Sequence, residues 1–422
     1  MHESEQEAES DIPKFSSLGI DPRLIHILDK LKFHTPTPIQ YKAIPIAINN
    51  KDLIGIAQTG TGKTLAFGLP ILQHLFKKSV RALILLPTRE LALQVEEALQ
   101  KVGQSFGLRT VVLIGGTAIN RQVQGIKRNP HIVIGTPGRI IDHLQQKTLH
   151  LNNINILVLD EADRMLDMGF APQIKQILRM VPKDRQTMLF SATMPDDIVK
   201  IAVEHMKLPV RVEIARPGTT VEGVEQEIFI VEKSHKDSLL EILLKKHSLK
   251  ALVFSRTKYG AKKICRKLNM SGHRAAEIHS NRSLNQRQAA LNGFKTGAYQ
   301  VLVATDIAAR GIDVKDIGLV INYDIPEFAE DYVHRIGRTA RAGQKGRAIT
   351  FACPDQHSKI RQIERLIKSV LKVSTMPGLA QIKLNTDNNS QPSNSKPFHR
   401  RSHNQGSHSQ GNHQRKWRSR GR

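Results

Sequence analysis

The sequence has few cysteines and no long apolar run, and both absences narrow the classes of protein it can belong to. Its two cysteines, Cys265 and Cys353, lie far apart and in no metal-ligand spacing. They exclude a disulfide framework, argue against a zinc site and suit ordinary buried thiols in a reducing compartment. No apolar stretch reaches the ~18 residues that span a bilayer, and the acidic residues 1–11, expected to be disordered, contain no signal peptide. We therefore expect a cytoplasmic protein with no membrane partner.

Acidic residues are also scarce relative to basic ones. The chain has 63 Lys and Arg against 38 Asp and Glu, a formal net charge of +25. So basic a balance favours a polyanion partner, and nucleic acid is the commonest soluble one. The alternative is a generally basic surface with no particular partner.

The last part of the chain lacks apolar residues almost entirely. Residues 385–422 consist mainly of Asn, Ser, Gln, His, Gly, Lys and Arg, so they cannot bury a core and should be disordered. Trp417, the only tryptophan, lies within Arg415–Arg418, and an aromatic ring among arginines can stack on an unpaired base. We interpret this segment as a basic RNA-binding tail, with a solubilising tail as the alternative.

Short, almost wholly apolar segments recur along the rest of the chain, each followed by a polar or glycine-rich turn. Such segments are typical of strands buried on both faces of a parallel sheet. Helical patterns such as 89–102 lie between them, and this alternation predicts a doubly wound α/β fold. The predicted strands of the first half are 52–57, 81–86, 110–114, 131–134, 156–159 and 187–190.

The second half repeats this pattern, which predicts a second domain. Its predicted strands are 226–231, 250–254, 274–278, 300–304, 318–321 and 348–351. Between the halves, residues 215–223 (ARPGTTVEG) have the Pro, Gly and Thr content of a flexible linker. We therefore expect tandem domains at 12–214 and 224–384.

A candidate phosphate-binding loop follows the first predicted strand. Residues 57–64 read AQTGTGKT and lead into a helical pattern, the context such a loop needs. Gly60 and Gly62 allow backbone N–H groups to curl around phosphate oxygens. Lys63 is placed to reach the β- and γ-phosphates, and Thr64 to ligate Mg²⁺. Ala57 replaces the first glycine of the general pattern, so a plain glycine-rich turn is the alternative.

Two acids follow another apolar strand about 100 residues later. In ILVLDEAD, at 156–163, Asp160 can hold Mg²⁺ and Glu161 can polarise the attacking water as a general base. The alternative is a helix cap with an acid in the first turn. The candidate phosphate-binding loop favours catalysis.

With these motifs in place, the sequence resembles the DEAD-box family of ATP-dependent RNA helicases, and the bacterial RhlE type most. The resemblance covers about residues 12–375. It rests on FHTPTPIQ at 33–40, PTRELA at 87–92, GG at 115–116, TPGR at 136–139, DEAD at 160–163, SAT at 191–193, VFSRTK at 253–258, ATDIAARGID at 304–313 and HRIGRTARAG at 334–343. It implies two tandem RecA-like domains that use ATP and Mg²⁺ and act on RNA.

The resemblance also implies roles for individual residues. Arg338 and Arg341 resemble arginine fingers that stabilise the transferred γ-phosphoryl group, and on a helix they would share a face with His334. Ser191 and Thr193 are implied to link the ATP state to domain closure. The catalytic set is Lys63, Asp160, Glu161, Arg338 and Arg341. The nucleotide set is Phe33, Gln40, Thr59, Gly60, Thr61, Gly62, Lys63, Thr64 and Asp313.

A separate set matches family positions that contact the RNA backbone: Arg89, Gly116, Thr136, Arg139 and Thr305. Hydroxyl, backbone N–H and guanidinium groups suit phosphate and ribose contacts, which fix position without reading sequence. The sequence departs from the family at Leu284, where Gln is frequent, and at Ala340, where Gly is usual.

The function expected is ATP-driven local unwinding of RNA and remodelling of ribonucleoproteins in ribosome assembly or RNA turnover. Ribosomal precursor particles and RNA-decay complexes are the corresponding partners. Three alternatives stay open: an ATP-dependent RNA clamp with negligible turnover, a DNA helicase, and an RNA annealer that acts through the tail alone.

Overall fold

The computed structural model describes residues 13–58, 60–77, 80–214, 223–309, 314, 316–340 and 345–375. Several predictions lie outside these residues, namely the acidic N-terminus, nearly all of the linker, the tail, Thr59, Asp313 and Arg341. The exact domain boundaries therefore stay predictions.

The first half of the chain folds around one parallel sheet with helices on both faces. Its strands are β1 (Leu53–Ile56), β2 (Ala82–Leu85), β3 (Thr110–Leu113), β4 (Ile132–Gly135), β5 (Ile156–Leu159), β6 (Gln186–Ser191) and β7 (Val210–Glu213). Its helices are α1 (Pro22–Lys30), α2 (Pro38–Ile48), α3 (Lys63–Lys77), α4 (Arg89–Gly103), α5 (Ile119–Lys127), α6 (Pro137–Gln145), α7 (Ala162–Asp167), α8 (Ala171–Met180) and α9 (Asp196–His205), with short 3-10 turns at Phe15–Leu18 and Gln104–Phe106.

The second half builds a sheet of the same kind. Its strands are β8 (Val224–Ile230), β9 (Ala251–Phe254), β10 (Ala275–Ile278), β11 (Val301–Ala304), β12 (Leu319–Asn322), β13 (Gly346–Ala352) and β14 (Lys372–Ser374). Its helices are α10 (Lys236–His247), α11 (Lys258–Met270), α12 (Leu284–Thr296), α13 (Asp306–Ala309), α14 (Ala329–Ile336) and α15 (His357–Ile367), with a 3-10 turn at Pro354–Gln356.

Both sheets have the strand order of doubly wound domains, which confirms the predicted fold class. The first runs β3-β4-β2-β5-β6-β1-β7 and the second β10-β11-β9-β12-β13-β8-β14, and the paired strands are parallel. The central strands β1, β2, β4, β5 and β6 are buried along their whole length. Their side chains enter apolar clusters on both faces of the sheet, which accounts for the continuous apolar segments in the sequence.

The structure differs from the predictions made from the sequence at two places. The edge strands β7 and β14 were not predicted, because their part-exposed residues lack a continuous apolar segment. The helix that carries His334 also ends at Ile336, so Arg338 lies in the turn that follows and not on a helical face with His334. Gly337 forms the C-cap of this helix, and glycine has a low propensity to continue a helix.

A buried carboxylate fastens the edge of the first sheet. Asp52 lies just before β1; its Oδ1 accepts a hydrogen bond from the Thr187 backbone N–H at 2.7 Å, and its Oδ2 accepts one from the Lys207 N–H at 2.6 Å. Those two donors belong to segments about 20 residues apart that flank β1 on either side. One side chain therefore sets the positions of β6 and of the turn before β7.

We predict that Asp52→Ala lowers the free energy of unfolding of the first domain by about 3 kcal/mol, because it leaves two backbone donors without their charged acceptor. Urea denaturation followed by circular dichroism measures this. Asp184→Ala is the matched control, since Asp184 is exposed and contacts the Lys207 side chain instead, and it should leave stability almost unchanged. Equal effects of the two substitutions would show that the buried hydrogen bonds do not fasten the sheet.

Candidate functional site

The carboxyl ends of the central strands bring the predicted ATP-site motifs together. In the first sheet β5, β6 and β1 are neighbours, and their ends lead into the DEAD segment, the SAT segment and the glycine-rich loop respectively. Ligands of open α/β sheets bind outside this edge. Residues more than 130 positions apart in sequence therefore face one another.

The glycine-rich loop ends at the start of α3, as the sequence predicts. Gly60 and Gly62 have φ values of 86° and 90°, in the left-handed region that glycine adopts without strain. Lys63 is buried, and its Nζ donates to the Ala57 carbonyl at 3.1 Å and lies 3.8 Å from Asp160 Oδ1. The loop thus presents a lysine and a helix N-terminus to an anion, the features of a phosphate-binding site.

The two acids at the end of β5 differ in environment. Burial raises the pKa of the Asp160 carboxyl to about 6, although nearby Lys63 opposes the shift. Glu161 has a left-handed backbone, with φ 52° and ψ 50°, and its buried Oε2 has no hydrogen-bond partner among the described residues. A strained backbone and an unsatisfied carboxylate oxygen are typical of functional positions.

The third acid of the segment, Asp163, joins it to the SAT segment. Its Oδ2 accepts hydrogen bonds from the Ala192 N–H at 3.1 Å, the Thr193 N–H at 2.9 Å and the Thr193 hydroxyl at 2.9 Å. The Asp163 N–H in turn donates to the Ser191 hydroxyl at 3.2 Å. Burial alone would raise the pKa of Asp163, but Lys63, Arg164, the Thr193 hydroxyl and His334 lower it below its usual value. Ser191 and Thr193 therefore both contact the DEAD segment, and they do so through Asp163.

Gln40, the last residue of the FHTPTPIQ motif, lies beside the phosphate-binding loop. Gln40 Oε1 accepts from the Thr37 N–H at 2.9 Å as part of a helix cap, and its Nε2 donates to the Gly62 carbonyl at 3.0 Å. Phe33 is 44% exposed, as an aromatic that stacks on a ligand would be. Gln40 thus caps α2 and also contacts the backbone of the phosphate-binding loop.

The predicted RNA-binding residues of the first domain share the other part of the same edge, where β3, β4 and β2 end. The Arg89 guanidinium packs directly on the backbone of Gly115 and Gly116, where a Cβ would collide with it. Arg139 Nη1 donates to the Thr117 carbonyl at 3.3 Å, and Thr136 precedes α6. Burial lowers the pKa of Arg89, and the cations of Arg287 and Arg139 lower it further. Close guanidinium groups form a site that favours an anion.

Two ion pairs join the domains near these sites, and the motif analysis did not single out any of their four residues. Arg164, directly after the DEAD segment, lies 3.6 Å from Asp331 on α14, and both are largely buried. Arg164, Asp331, His334 and Arg338 line one small crevice. The predicted arginine finger Arg338 therefore faces the first domain beside the acidic segment.

The second ion pair lies beside the RNA residues. Arg287 on α12 is 2.9 Å from Glu90, the neighbour of Arg89, and both side chains are nearly buried. Leu284, one turn earlier on α12, is 6% exposed and belongs to the apolar cluster of the first domain. Leu284, which stands where the family frequently has Gln, thus adds an apolar contact between the two domains.

Three further residues have informative positions in the second domain. Arg335 is buried, forms a paired contact with Asp306 at 2.5 and 2.7 Å and lies over the Phe254 ring, so it fixes α14 against the sheet. Ala340 has φ 53°, the left-handed conformation that explains why glycine suits this position. Thr305 directly follows β11 and begins the turn into α13.

Doubly wound domains with a phosphate-binding loop facing acids at a strand end define the class of P-loop nucleotide-binding proteins. Residues 37–201 match the family "DEAD/DEAH box helicase". Residues 234–343 match the family "Helicase conserved C-terminal domain". Together with the relatives below, these matches show that the chain belongs to the DEAD-box helicase family.

Curated relatives and solved structures are similar over most of the chain. "ATP-dependent RNA helicase CshA" of Listeria monocytogenes is 46% identical over 367 residues, which are 86% of this chain and 71% of that protein. CshA of Geobacillus kaustophilus is 45% identical, over 86% of this chain and 79% of that protein. The predicted RhlE type is not confirmed, since these relatives carry the name CshA.

The structural relatives contain RNA and nucleotide analogues. Dbp5 of S. cerevisiae bound to RNA and ADP BeF3 has a TM-score of 0.78 at 31% identity and covers 86% of this chain and 95% of its own. Mss116p bound to ssRNA and AMP-PNP has a TM-score of 0.80 at 31% identity, and the match covers 87% of this chain and 80% of that one. Within the described part of this chain, no helix is long and apolar enough to cross a membrane.

We predict that Gly62→Ala weakens nucleotide binding about ten-fold or more, equivalent to about 1.4 kcal/mol. The added Cβ would strain a φ of 90° and collide with Gln40 Nε2. Titration with a fluorescent ATP analogue measures the affinity. Gly19→Ala is the control, because Gly19 has a φ of 76° and open space around its Cβ position. If Gly19→Ala weakened binding as much, the contact between loop and Gln40 would not be the cause.

Proposed function

We propose that this chain is an ATP-dependent RNA helicase that couples ATP binding and hydrolysis to local unwinding of RNA duplexes and remodelling of ribonucleoproteins. The observation that carries the proposal is a buried charge cluster at the edge of the first sheet, formed by Lys63, Asp160, Glu161 and Asp163. The second domain adds to this cluster, because Arg164 pairs with Asp331 and His334 lowers the pKa of Asp163. Such a cluster is complete only when both domains meet, so chemistry and domain closure depend on each other.

At the ATP site, each residue has a role that its position supports. Lys63 and the loop amides hold the β- and γ-phosphates, and Thr61 and Gly60 shape the loop. The Thr64 hydroxyl and the Asp160 carboxylate are the hard oxygen ligands that Mg²⁺ prefers, and Mg²⁺ usually takes only one or two carboxylates besides phosphate. When bound, the ion would neutralise phosphate charge.

Glu161 acts as the general base in this proposal. Its Oε2 is buried and has no protein partner among the described residues, so it can accept a proton from a water aligned with the γ-phosphate. From the second domain, Arg338 stabilises the charge that develops on the γ-phosphoryl group. The family resemblance assigns Arg341 the same task and Asp313 the ribose contact. Phe33 and Gln40 receive the adenine, with Thr59 in the adjoining loop.

RNA binds along the edge formed by Arg89, Gly116, Thr136 and Arg139, and Thr305 contacts it from the second domain. These groups contact phosphate and ribose, so binding does not depend on base sequence. Ser191 and Thr193 link the ATP state to domain closure, because Asp163, which they contact, is the sequence neighbour of Arg164, and Arg164 pairs with Asp331 of the second domain. Closure bends the bound strand, and hydrolysis reopens the cleft.

The wider setting also belongs to the proposal. The helicase acts in the cytoplasm, on ribosomal precursor particles or in RNA-decay complexes, and the basic tail holds structured RNA near the cleft. The net charge of +25 supports a polyanion partner of this kind.

We predict that Glu161→Gln lowers the kcat of RNA-stimulated ATP hydrolysis by a factor on the order of 10²–10⁴, the usual contribution of a general base. Gln has the same size and tolerates the same backbone, so ATP-analogue binding should change only a few-fold. Steady-state ATPase assays with and without structured RNA measure this effect, and exposed Glu204→Gln is the control.

The same assay separates the alternatives. A wild-type chain that binds ATP and RNA but does not turn over would contradict the proposal and favour a clamp. Stimulation by DNA equal to that by RNA of the same sequence would favour a DNA helicase. An unchanged kcat of RNA-stimulated ATP hydrolysis in Glu161→Gln would exclude Glu161 as the base.

A second prediction concerns the pair Arg164–Asp331. Arg164→Gln and Asp331→Asn should each lower the kcat/KM for ATP in the presence of RNA, and a double-mutant cycle should give a coupling energy of about 1–3 kcal/mol. The reason is that either substitution leaves a buried charge without its partner in the closed state. The exposed pair Lys245 and Glu241 provides the control cycle. Additive effects of Arg164→Gln and Asp331→Asn would mean that the ion pair does not contribute to closure.

A further inference from the structure

Helix α11 carries an unusual concentration of positive charge. Its thirteen residues, KYGAKKICRKLNM, include five Lys or Arg and no acid. Helices α10, α14 and α15 of this domain mix the two signs; α10, for example, carries Asp237 and Glu241 besides its lysines. A solvated helical face with no binding role normally mixes charges, because like charges at helical spacing repel one another.

The charges lie on one exposed face. Ala261, Ile264, Cys265 and Leu268 form the buried face of the helix, while the other face presents Lys262, Lys263, Arg266 and Lys267 to solvent. By helical geometry, Lys258, Lys262 and Arg266 form a stripe about 12 Å long. We call Lys258, Tyr259, Lys262, Lys263 and Arg266 the α11 face.

Most of this charge is not neutralised by protein. Lys267 pairs with Asp237, but in the described part of the chain no carboxylate lies within 4.0 Å of Lys262, Lys263 or Arg266. Tyr259 is 71% exposed beside them, with the Lys258 ammonium 5.4 Å from its ring centre. A cationic stripe with an exposed aromatic ring matches the chemistry that binds single-stranded nucleic acid.

The α11 face is continuous with the proposed RNA site. Strands β9 and β11 are parallel neighbours, and the Ser255 N–H donates to the Ala304 carbonyl at 2.9 Å. Thr257, the N-cap of α11, therefore lies at the same sheet edge as Thr305, the predicted RNA contact of this domain. A strand that leaves Thr305 towards β9 would meet the first turn of α11.

We propose that the α11 face is a second RNA-binding surface, which holds the phosphate backbone of RNA that extends beyond the interdomain cleft. This proposal rests on the proposed RNA helicase function and adds a surface to it. RNA is favoured over an acidic protein because the face adjoins the proposed RNA site and offers a ring for stacking. The contacts would be independent of sequence and would lengthen the RNA footprint on the second domain.

The test compares RNA binding by the full chain in the presence of an ATP analogue, with a short oligouridine of about 8 nucleotides and a long one of about 24. The wild type should bind the long RNA more tightly. The triple variant K262Q/K263Q/R266Q should lose that gain, and its salt slope for the long RNA should fall by about 2, given about 0.7 per phosphate contact with a single strand.

The matched control removes the same charge from the opposite end of the second sheet. R361Q/R365Q/K368Q alters α15 and its cap, which lie near β8, and it should keep the gain for long RNA. If both variants lose affinity equally, the effect is long-range electrostatics and the proposal is wrong. If the α11 variant keeps the gain, RNA does not bind there, and an acidic protein becomes the better candidate occupant.

Two further readouts complete the test. ATPase stimulation by the short RNA should be the same in both variants and the wild type; its absence in the wild type would contradict the helicase function and not the α11 face. Tyr259→Ala should weaken long-RNA binding without changing the salt slope, and Tyr259→Phe should restore the affinity, because stacking needs the ring and not the hydroxyl. Equal weakening by both Tyr259 substitutions would overturn the stacking role.

Discussion

The structure depends on how buried charges neutralise one another at the edge of the first sheet. Lys63, Asp160, Glu161, Asp163 and Arg164 are each no more than 6% exposed, and isolated charges at such depth cost several kcal/mol each. Three of these five residues are acids and two are bases. Arg338 supplies positive charge from the second domain and His334 helps to lower the pKa of Asp163, so contact between the domains is part of the electrostatic balance. The raised pKa of Asp160 shows that its negative charge is only partly compensated by protein. A cation bound to phosphate would compensate that charge.

Parallel strands make this balance possible. Because every strand of a sheet ends at the same edge, residues from the loop after β1, the turn after β5 and the end of β6 meet without any local sequence relation. Asp163 shows the consequence, since one carboxylate oxygen receives both backbone and hydroxyl donors from the SAT segment. If ligand binding moved Lys63 or Asp160, the movement would therefore be transmitted to β6 and, through Arg164, to helix α14. The route consists of the hydrogen bonds at Asp163 and of the ion pairs Lys63–Asp160 and Arg164–Asp331.

Much of this could be predicted from the sequence, and the rest could not for identifiable reasons. Strands such as β2 and β5 are buried on both faces, so their apolar composition reveals them. Strands β7 and β14 lie at edges where half of each face meets solvent, and composition alone does not distinguish them from loops. The motifs locate Lys63 at the start of α3 and Glu161 just after β5, because short spacings fix local geometry. The pairs Arg164–Asp331 and Arg287–Glu90 join residues about 170 and 200 positions apart, and no periodicity along one chain encodes such contacts.

Those two pairs also explain how one closure can serve two ligands. Arg164 and Asp331 join the domains beside the phosphate-binding loop, while Arg287 and Glu90 join them beside Arg89. A rigid second domain cannot form one contact and leave the other unaffected, so a ligand that favours either contact favours both. In the proposed mechanism, phosphate attracts Arg338 on the first side, and an RNA backbone relieves the repulsion among Arg89, Arg139 and Arg287 on the second. Leu284 adds burial that needs no ligand, so the intrinsic balance between open and closed states depends on its packing as well as on charge.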